Sequence, residues 1–369
     1  MSADSQRIEK RRTRLRRLVR RETGCRALLV SSEVNVRYLT GFTGDSSWLL
    51  LTDDGALLVT DSRYTTQVEQ ECPDLPVFLR ESSQSMTSAV EEATRSLNLK
   101  ELAAEADSLT YSSWLALTTA LESLTVKASS GLVESLRSIK DAGEIAETRL
   151  AVEQSEKGFA VLRAMLTGDM TELNAAHELE HAMRRFGAAD AAFPPIVAAG
   201  PNAALPHARP GNTRIDSSDF LLVDWGAAAD SGYRSDLTRI LATAKISPKL
   251  EKIYRVVLNA QQEAITRIAP GVQCRAVDAA AREIISAAGY GKNFGHGLGH
   301  GVGLQIHEAP RVGGSSETEL KPGMIVTVEP GIYLPGWGGV RIEDDVLVTR
   351  GGYEVLTSVP KDLDSIRLP

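Results

Sequence analysis

The sequence predicts a two-domain protein of α+β class: an α/β amino-terminal unit over residues 1–131, a connection over 132–141, and a second α+β unit over 142–369. Three observations carry this. Short strand-like runs alternate with helical periodicities up to about residue 130, the pattern of an α/β layer. From Ala142 the periodicity lengthens into long helices interleaved with antiparallel hairpins, which suits an α+β unit better than a doubly wound sheet. A chain of 369 residues is also long enough for two cores.

Residues 1–21 hold nine basic side chains against Asp4 and Glu9, so this segment carries +7 and the remainder −14 of a net −7. Ile8, Leu15, Leu18 and Val19 fall on one face at ~100° per residue. This reads as an amphipathic helix packed on its domain with arginines in water, rather than a nucleic-acid or membrane arm. Ala27–Val30, Ser47–Leu51 and Ala56–Thr60 read as strands, the last two joined through Asp53-Asp54-Gly55. Helices follow at Tyr64–Glu71 and Met86–Leu97, a strand at Glu101–Ala106, and a helix at Ser112–Leu121. In the second unit, Glu144–Leu166 and Thr171–Phe186 read as helices stopped by Gly168 and Gly187. Then come a strand at Ile196–Ala199, a hairpin over Phe220–Ala242, helices at Pro248–Ile268 and Arg275–Ala288, and a β region from Met324 to Thr357.

Composition excludes several classes. Apolar content of 43% and charge of 24% are ordinary for a soluble globular protein. No apolar run approaches the ~18 residues of a membrane span, and the basic start is too poor in apolar residues for a secretory signal. A cytoplasmic protein is expected. Cys25, Cys72 and Cys274 are odd in number and widely spaced, as reduced, inert thiols would be. There is no P-loop and no G-x-G-x-x-G after a strand, so nucleotide binding has no support.

Chemistry concentrates in G-H-G-L-G-H-G-V-G-L-Q-I-H-E-A-P, residues 295–310, which holds His296, His300 and His307. The interspersed glycines let backbone approach a ligand closely. Two hairpins join this stretch. Symmetry of Phe220–Ala242 about residue 230 sets Asp224 opposite Asp236. Symmetry of the strands around Pro335-Gly336-Trp337-Gly338 sets Glu329 opposite Glu343. Opposed residues share a face with Cβ atoms ~5 Å apart, where like charges are destabilising. Acid pairs in apolar strands therefore call for a compensating cation or shared proton. Four carboxylates and an imidazole suit two divalent ions, with Mn²⁺, Co²⁺, Fe²⁺ or Zn²⁺ as candidates. The competing reading makes Asp224 and Asp236 turn-stabilising acids and Glu329 and Glu343 part of a surface ion-pair ladder with Arg239 and Arg341. Residues 177–181, H-E-L-E-H, match the zinc-protease pattern formally. On that helix His177 and His181 point away from the apolar face, so they are expected to be solvated.

These residues resemble the metallopeptidase family with the pita-bread fold, which includes methionine aminopeptidase, prolidase and aminopeptidase P. The matching stretches are 196–210, V-D-W-G (223–226), Y-R-S-D-L-T-R (233–239), 295–310, V-E-P-G-I-Y (328–333) and G-V-R-I-E-D-D (339–345). N-V-R-Y-L-T-G-F-T-G (35–44) and T-D-S-R-Y (60–64) are similar to the creatinase-type amino-terminal domain, which narrows the resemblance to the two Xaa-Pro peptidases. The resemblance implies that Asp224 chelates one metal, that Asp236 and Glu343 bridge both, and that His300 and Glu329 hold the second. It further implies that His307 and His207 meet the transition state or substrate, and that His296 and Arg341 line the prolyl side. Two metals sharing a water would lower its pKa from 15.7 towards ~7. The hydroxide would attack the carbonyl carbon of the first residue while Glu329 carries the proton to the prolyl nitrogen. The first expectation is an Xaa-Pro aminopeptidase acting on peptides with proline second. Manganese is the favoured metal and a homodimer the expected assembly. An Xaa-Pro dipeptidase and a non-catalytic peptide-binding protein are the alternatives.

Overall fold

The computed structural model describes residues 3–368. Two compact units meet at Arg137/Ser138. The segment read as a connection contains a short helix, Leu132–Arg137, that belongs to the first unit.

The first unit is a six-stranded mixed sheet in the order Val77–Arg80, Ala56–Asp61, Trp48–Thr52, Ala27–Val30, Glu101–Glu105 and Thr125–Ser129. Leu29, Leu50, Val59, Val90 and Leu102 form its core. The two outermost strands and the helix Glu33–Thr40 are not anticipated by the sequence reading. Both edge strands are short and half-covered, so they lack a continuous apolar signal. The helix ends at Gly41, whose φ of 81° only glycine adopts readily. The amino-terminal helix, Ala3–Thr23, packs through Leu15 and Val19. Its arginines do not all remain in water: Arg11, Arg12 and Arg16 donate to the carbonyls of Tyr38, Leu39 and Thr52.

In the second unit the helix Ala142–Met165 starts with a capping box between Asp141 and Glu144, and Glu172–Arg185 with one between Thr171 and Asn174. Each such cap stabilises a helix start by about 1 kcal/mol. The antiparallel strands Ile196–Ala199, Phe220–Trp225 and Leu237–Ala242 form one sheet. Alternation along the middle strand explains why it is buried throughout. Phe220 and Leu222 face the core built on helices Pro248–Thr266 and Cys274–Ala287. Leu221, Val223 and Trp225 face the core built on the helices of residues 142–185. A five-stranded sheet runs Glu308–Val312, Gly299–Gly301, Ile325–Val328, Asp344–Thr349, Gly352–Val355. Among the described residues no helix is long and apolar enough to cross a membrane.

Candidate metal centre

The hairpin register differs from the expected one. Asp224 lies opposite Thr238, and Leu237 opposite Trp225, so the symmetry axis sits at residue 231 rather than 230. Asp224 and Asp236 are thus diagonal neighbours, not opposed. Because partners move by two positions, the face is unchanged and both acids still point the same way. The second hairpin has the expected register, with Val328 opposite Asp344 and Gly331 opposite Arg341. Glu329 and Glu343 fall in the break between those ladders, which Pro330 enforces by removing a backbone donor.

The glycines around His300 have a different reason from the one first given. Gly299 and Gly301 have ordinary negative-φ or extended backbones. A Cβ at Gly299 would lie 2.1 Å from Thr327 O, and one at Gly301 would lie 2.2 Å from Ala309 O. The short strand that carries His300 is squeezed between two neighbours, and it is these backbones, not a ligand, that exclude side chains there.

One cavity of about 660 Å³ gathers Asp224, Asp236, His300, Glu329, Glu343, His207, His296, His307 and Arg341. Single ligand atoms of Asp236, His300 and Glu343 lie within 4.8 Å of one another. His300 Nε2 is 3.6 Å from Asp236 Oδ2 and 3.4 Å from Glu329 Oε1. Its Nδ1 is 3.1 Å from Gly301 O, which fixes the proton on Nδ1 and turns the Nε2 lone pair towards the acids. Burial, helped by nearby His307, lowers the His300 pKa to about 4, so the ring is neutral. His207 and His307 stand exposed on the cavity wall, and the His307 ring meets that of His300 edge-on at 4.3 Å.

Among the described residues, Arg341 is the cation paired with this group of acids, through Asp224. Burial, then Glu343, Asp224, Asp345 and Glu329, drive the Asp236 pKa well above the carboxylate range. Burial, then Glu329 and Asp224, do the same to Glu343. Burial raises Glu329 to about 8 and raises Asp224 despite its ion pair with Arg341. Asp224 Oδ1 is buried with no hydrogen-bond partner among the described residues. Orphaned oxygens, crowded like charges and a neutral imidazole form a donor set that fits divalent ions preferring oxygen and nitrogen ligands. The alternative of a surface ion-pair ladder fails on position: Arg239 is buried and bonded to Asp344, and Arg341 to Asp224.

Three contributors escaped the sequence reading. Thr238 Oγ1 donates to Glu343 Oε2 at 2.6 Å and accepts from Arg341 Nε at 3.1 Å. Its place two residues after Asp236, on the same face, is the only signal for it. Asp345 Oδ2 accepts the Asp236 N–H at 3.0 Å. The Tyr333 hydroxyl accepts from Arg341 Nη1 at 2.8 Å and lies 2.9 Å from His296 Nε2. His177 and His181 are exposed and apart from this cluster.

Comparison with known proteins identifies the family. The profile of Metallopeptidase family M24 matches residues 146–350, and that of the Creatinase/Prolidase N-terminal domain matches residues 11–139. An Xaa-Pro dipeptidase of Pyrococcus horikoshii is 34% identical over 339 residues, 91% of this chain and 94% of that protein. Among solved structures, an Xaa-Pro dipeptidase from Bacillus anthracis is 39% identical with a TM-score of 0.92, covering 96% of this chain and 99% of that one. An X-Pro aminopeptidase from Thermotoga maritima is 34% identical with a TM-score of 0.86, covering 93% and 98%. The chain belongs to metallopeptidase family M24, with the pita-bread fold and a creatinase-type amino-terminal domain.

Proposed function

We propose that this protein is an Xaa-Pro dipeptidase, which reverses the order of the two peptidase readings drawn from sequence. The observation that carries the peptidase reading is the cluster of four acids and one imidazole in one cavity, with Arg341 alone among the described residues ion-paired to these acids. Asp224, Asp236, His300, Glu329 and Glu343 would hold two divalent ions, Mn²⁺ first among the candidates. Bound there, such ions supply Lewis-acid stabilisation and a water of lowered pKa.

The chain's own residues do the rest. Support for Glu329 as proton carrier is its position: it lines the cavity beside the other acids, its Oε1 3.4 Å from His300 Nε2, where with ions bound its ionised carboxylate could take the water's proton and return it to the prolyl nitrogen. His207 and His307, exposed on the cavity wall, offer N–H donors for the developing oxyanion. His296 has its Nδ1 2.8 Å from Gly297 O and its Nε2 on the Tyr333 hydroxyl. It therefore presents a ring face rather than a free donor to the prolyl side.

Two features favour the dipeptidase. Arg209 and Arg311 line the cavity in addition to the committed Arg341, and a free proline carboxylate is the natural counter-charge for them. The relative described as a dipeptidase is also nearer, at 39% identity against 34% for the aminopeptidase. Initial rates on Ala-Pro and Ala-Pro-Gly, with Mn²⁺ restored, decide the matter. The expected kcat/KM is about tenfold or more higher for the dipeptide, the size of preference an unpaired cationic site imposes. A preference for the tripeptide would return the protein to the aminopeptidase reading.

A further inference from the structure

Lys140 and Glu308 form an ion pair that the proposed chemistry does not use. Lys140 Nζ lies 3.3 Å from Glu308 Oε2, and the two side chains are 1% and 4% exposed. The other Glu308 oxygen accepts the Gln305 N–H at 2.9 Å, so one carboxylate closes the turn on which His307 stands. Gly303 lies behind it, where a Cβ would come within 2.7 Å of Glu308 Oε2. Lys140 is itself anchored. Its N–H donates to Gly323 O at 2.8 Å, and a Cβ at Gly323 would sit 2.8 Å from Lys140 O.

Desolvating two charges costs more than an apolar pair of the same shape, so a buried ion pair is poor value as a stabiliser alone. Its geometric effect is specific. His307 is exposed, and its backbone turn sets where its side chain starts and so which part of the cavity its ring can reach. That turn hangs on the carboxylate of the next residue, which in turn is held by an ammonium from a wall 168 positions away in sequence.

We propose that Lys140 is a positioning residue for His307, acting through Glu308 to fix the turn that presents that imidazole to the cavity. The inference rests on the reading of His307 as a group that meets substrate, and its test is arranged to separate the two. Lys140→Met takes the ammonium away from the buried Glu308 carboxylate, so Lys140→Met/Glu308→Gln, which removes both charges, is the companion variant. In full-length protein with labelled histidine, the imidazole C–H resonances of His307, assigned with His307→Ala, should move or broaden in both variants. Those of His177 and His181 should stay. With metal content unchanged, kcat/KM on Ala-Pro should fall roughly 10- to 100-fold, as displacement of a catalytic group by about 1 Å does. In a His307→Ala background the same lysine change should cost less than about twofold, because coupled groups are not additive.

Unmoved His307 resonances in the folded double variant would overturn the proposal, as would an undiminished loss in the His307→Ala background. If the unaltered protein does not cleave Ala-Pro, the functional reading fails on its own, and the resonances still decide the role of Lys140.

Discussion

Asp236 and Asp344 are both buried aspartates of the second unit, and they respond to burial in opposite ways. Asp344 accepts from Arg239, Lys361, Gln261 and Thr357, and these partners hold its carboxyl below the usual range despite desolvation. Asp236 is surrounded instead by Glu343, Asp224, Asp345 and Glu329, and its carboxyl is driven well above that range. One acid has its counter-charge built in; the other waits for it from outside. Asp236→Asn should therefore separate stability from function. Without metal at pH 8 the variant should be more stable than the parent, by on the order of 1 kcal/mol, since one unit of pKa shift is worth 1.36 kcal/mol. It should also lose bound metal and Ala-Pro hydrolysis together. Melting in chelator and metal analysis of the purified variant check both halves, and a fully metallated, active Asp236→Asn protein would remove Asp236 from the ligand set.

At the scale of elements, the hairpin over Phe220–Ala242 shows what could and could not be read from sequence. Acids facing one way on an apolar strand were legible, because face depends only on whether a residue number is odd or even. Which residue lies opposite which was not, because that depends on how the Ala229–Gly232 tip turns, and the true axis is one residue later. The error was harmless only because it moved partners by two. Thr238 was invisible for a related reason: its hydroxyl matters through a bridge to Glu343, 105 positions away, that no local pattern encodes. The glycines of residues 295–303 stand out in the sequence, but their cause lies in strands that are distant in sequence. That cause makes a prediction. Gly299→Ala would drive a Cβ into Thr327 O, and backbone cannot yield as a side-chain tip can. It should cost about 3 kcal/mol or more, the upper range of overpacking, and displace His300 from the acids. Gly295→Ala, with nothing within 4 Å of the new Cβ, should stay within about 0.5 kcal/mol of the parent. Denaturant melts of the two variants test the contrast, and equal stabilities would contradict the squeezed-strand account.

Over the whole molecule the same charges make stability depend on pH in a direction that metal reverses. In the metal-free fold the carboxyls of Asp224, Asp236, Glu329, Glu343 and Asp345 have raised pKa values, with Glu329 at about 8. Unfolded, they would titrate near 4. The native state thus binds more protons than the unfolded state up to about pH 8, so stability falls as pH rises through this range. His296, His300 and His307 have lowered pKa values and act in the opposite sense, losing stability as pH falls below about 6.5. Above about 6.5 the histidines are neutral in both states and drop out, leaving the acids alone between roughly pH 6.5 and 8. Glu105 of the first unit, pushed up to about 7 by burial, adds to the decline in the lower part of that window, but no metal would cancel its share. Divalent ions bind the ionised cluster and release its protons, so their stabilisation should grow as pH rises. At a hundredfold excess over Kd it reaches about 2.7 kcal/mol. Melting in chelator should therefore show a midpoint for the second unit that drops from about pH 6.5 to 8, while melting in Mn²⁺ shows one that is level or rising. A metal-free midpoint that rises with pH, or a Mn²⁺ gain independent of pH, would mean that the acids are compensated within the protein and that the cavity has no need of a cation.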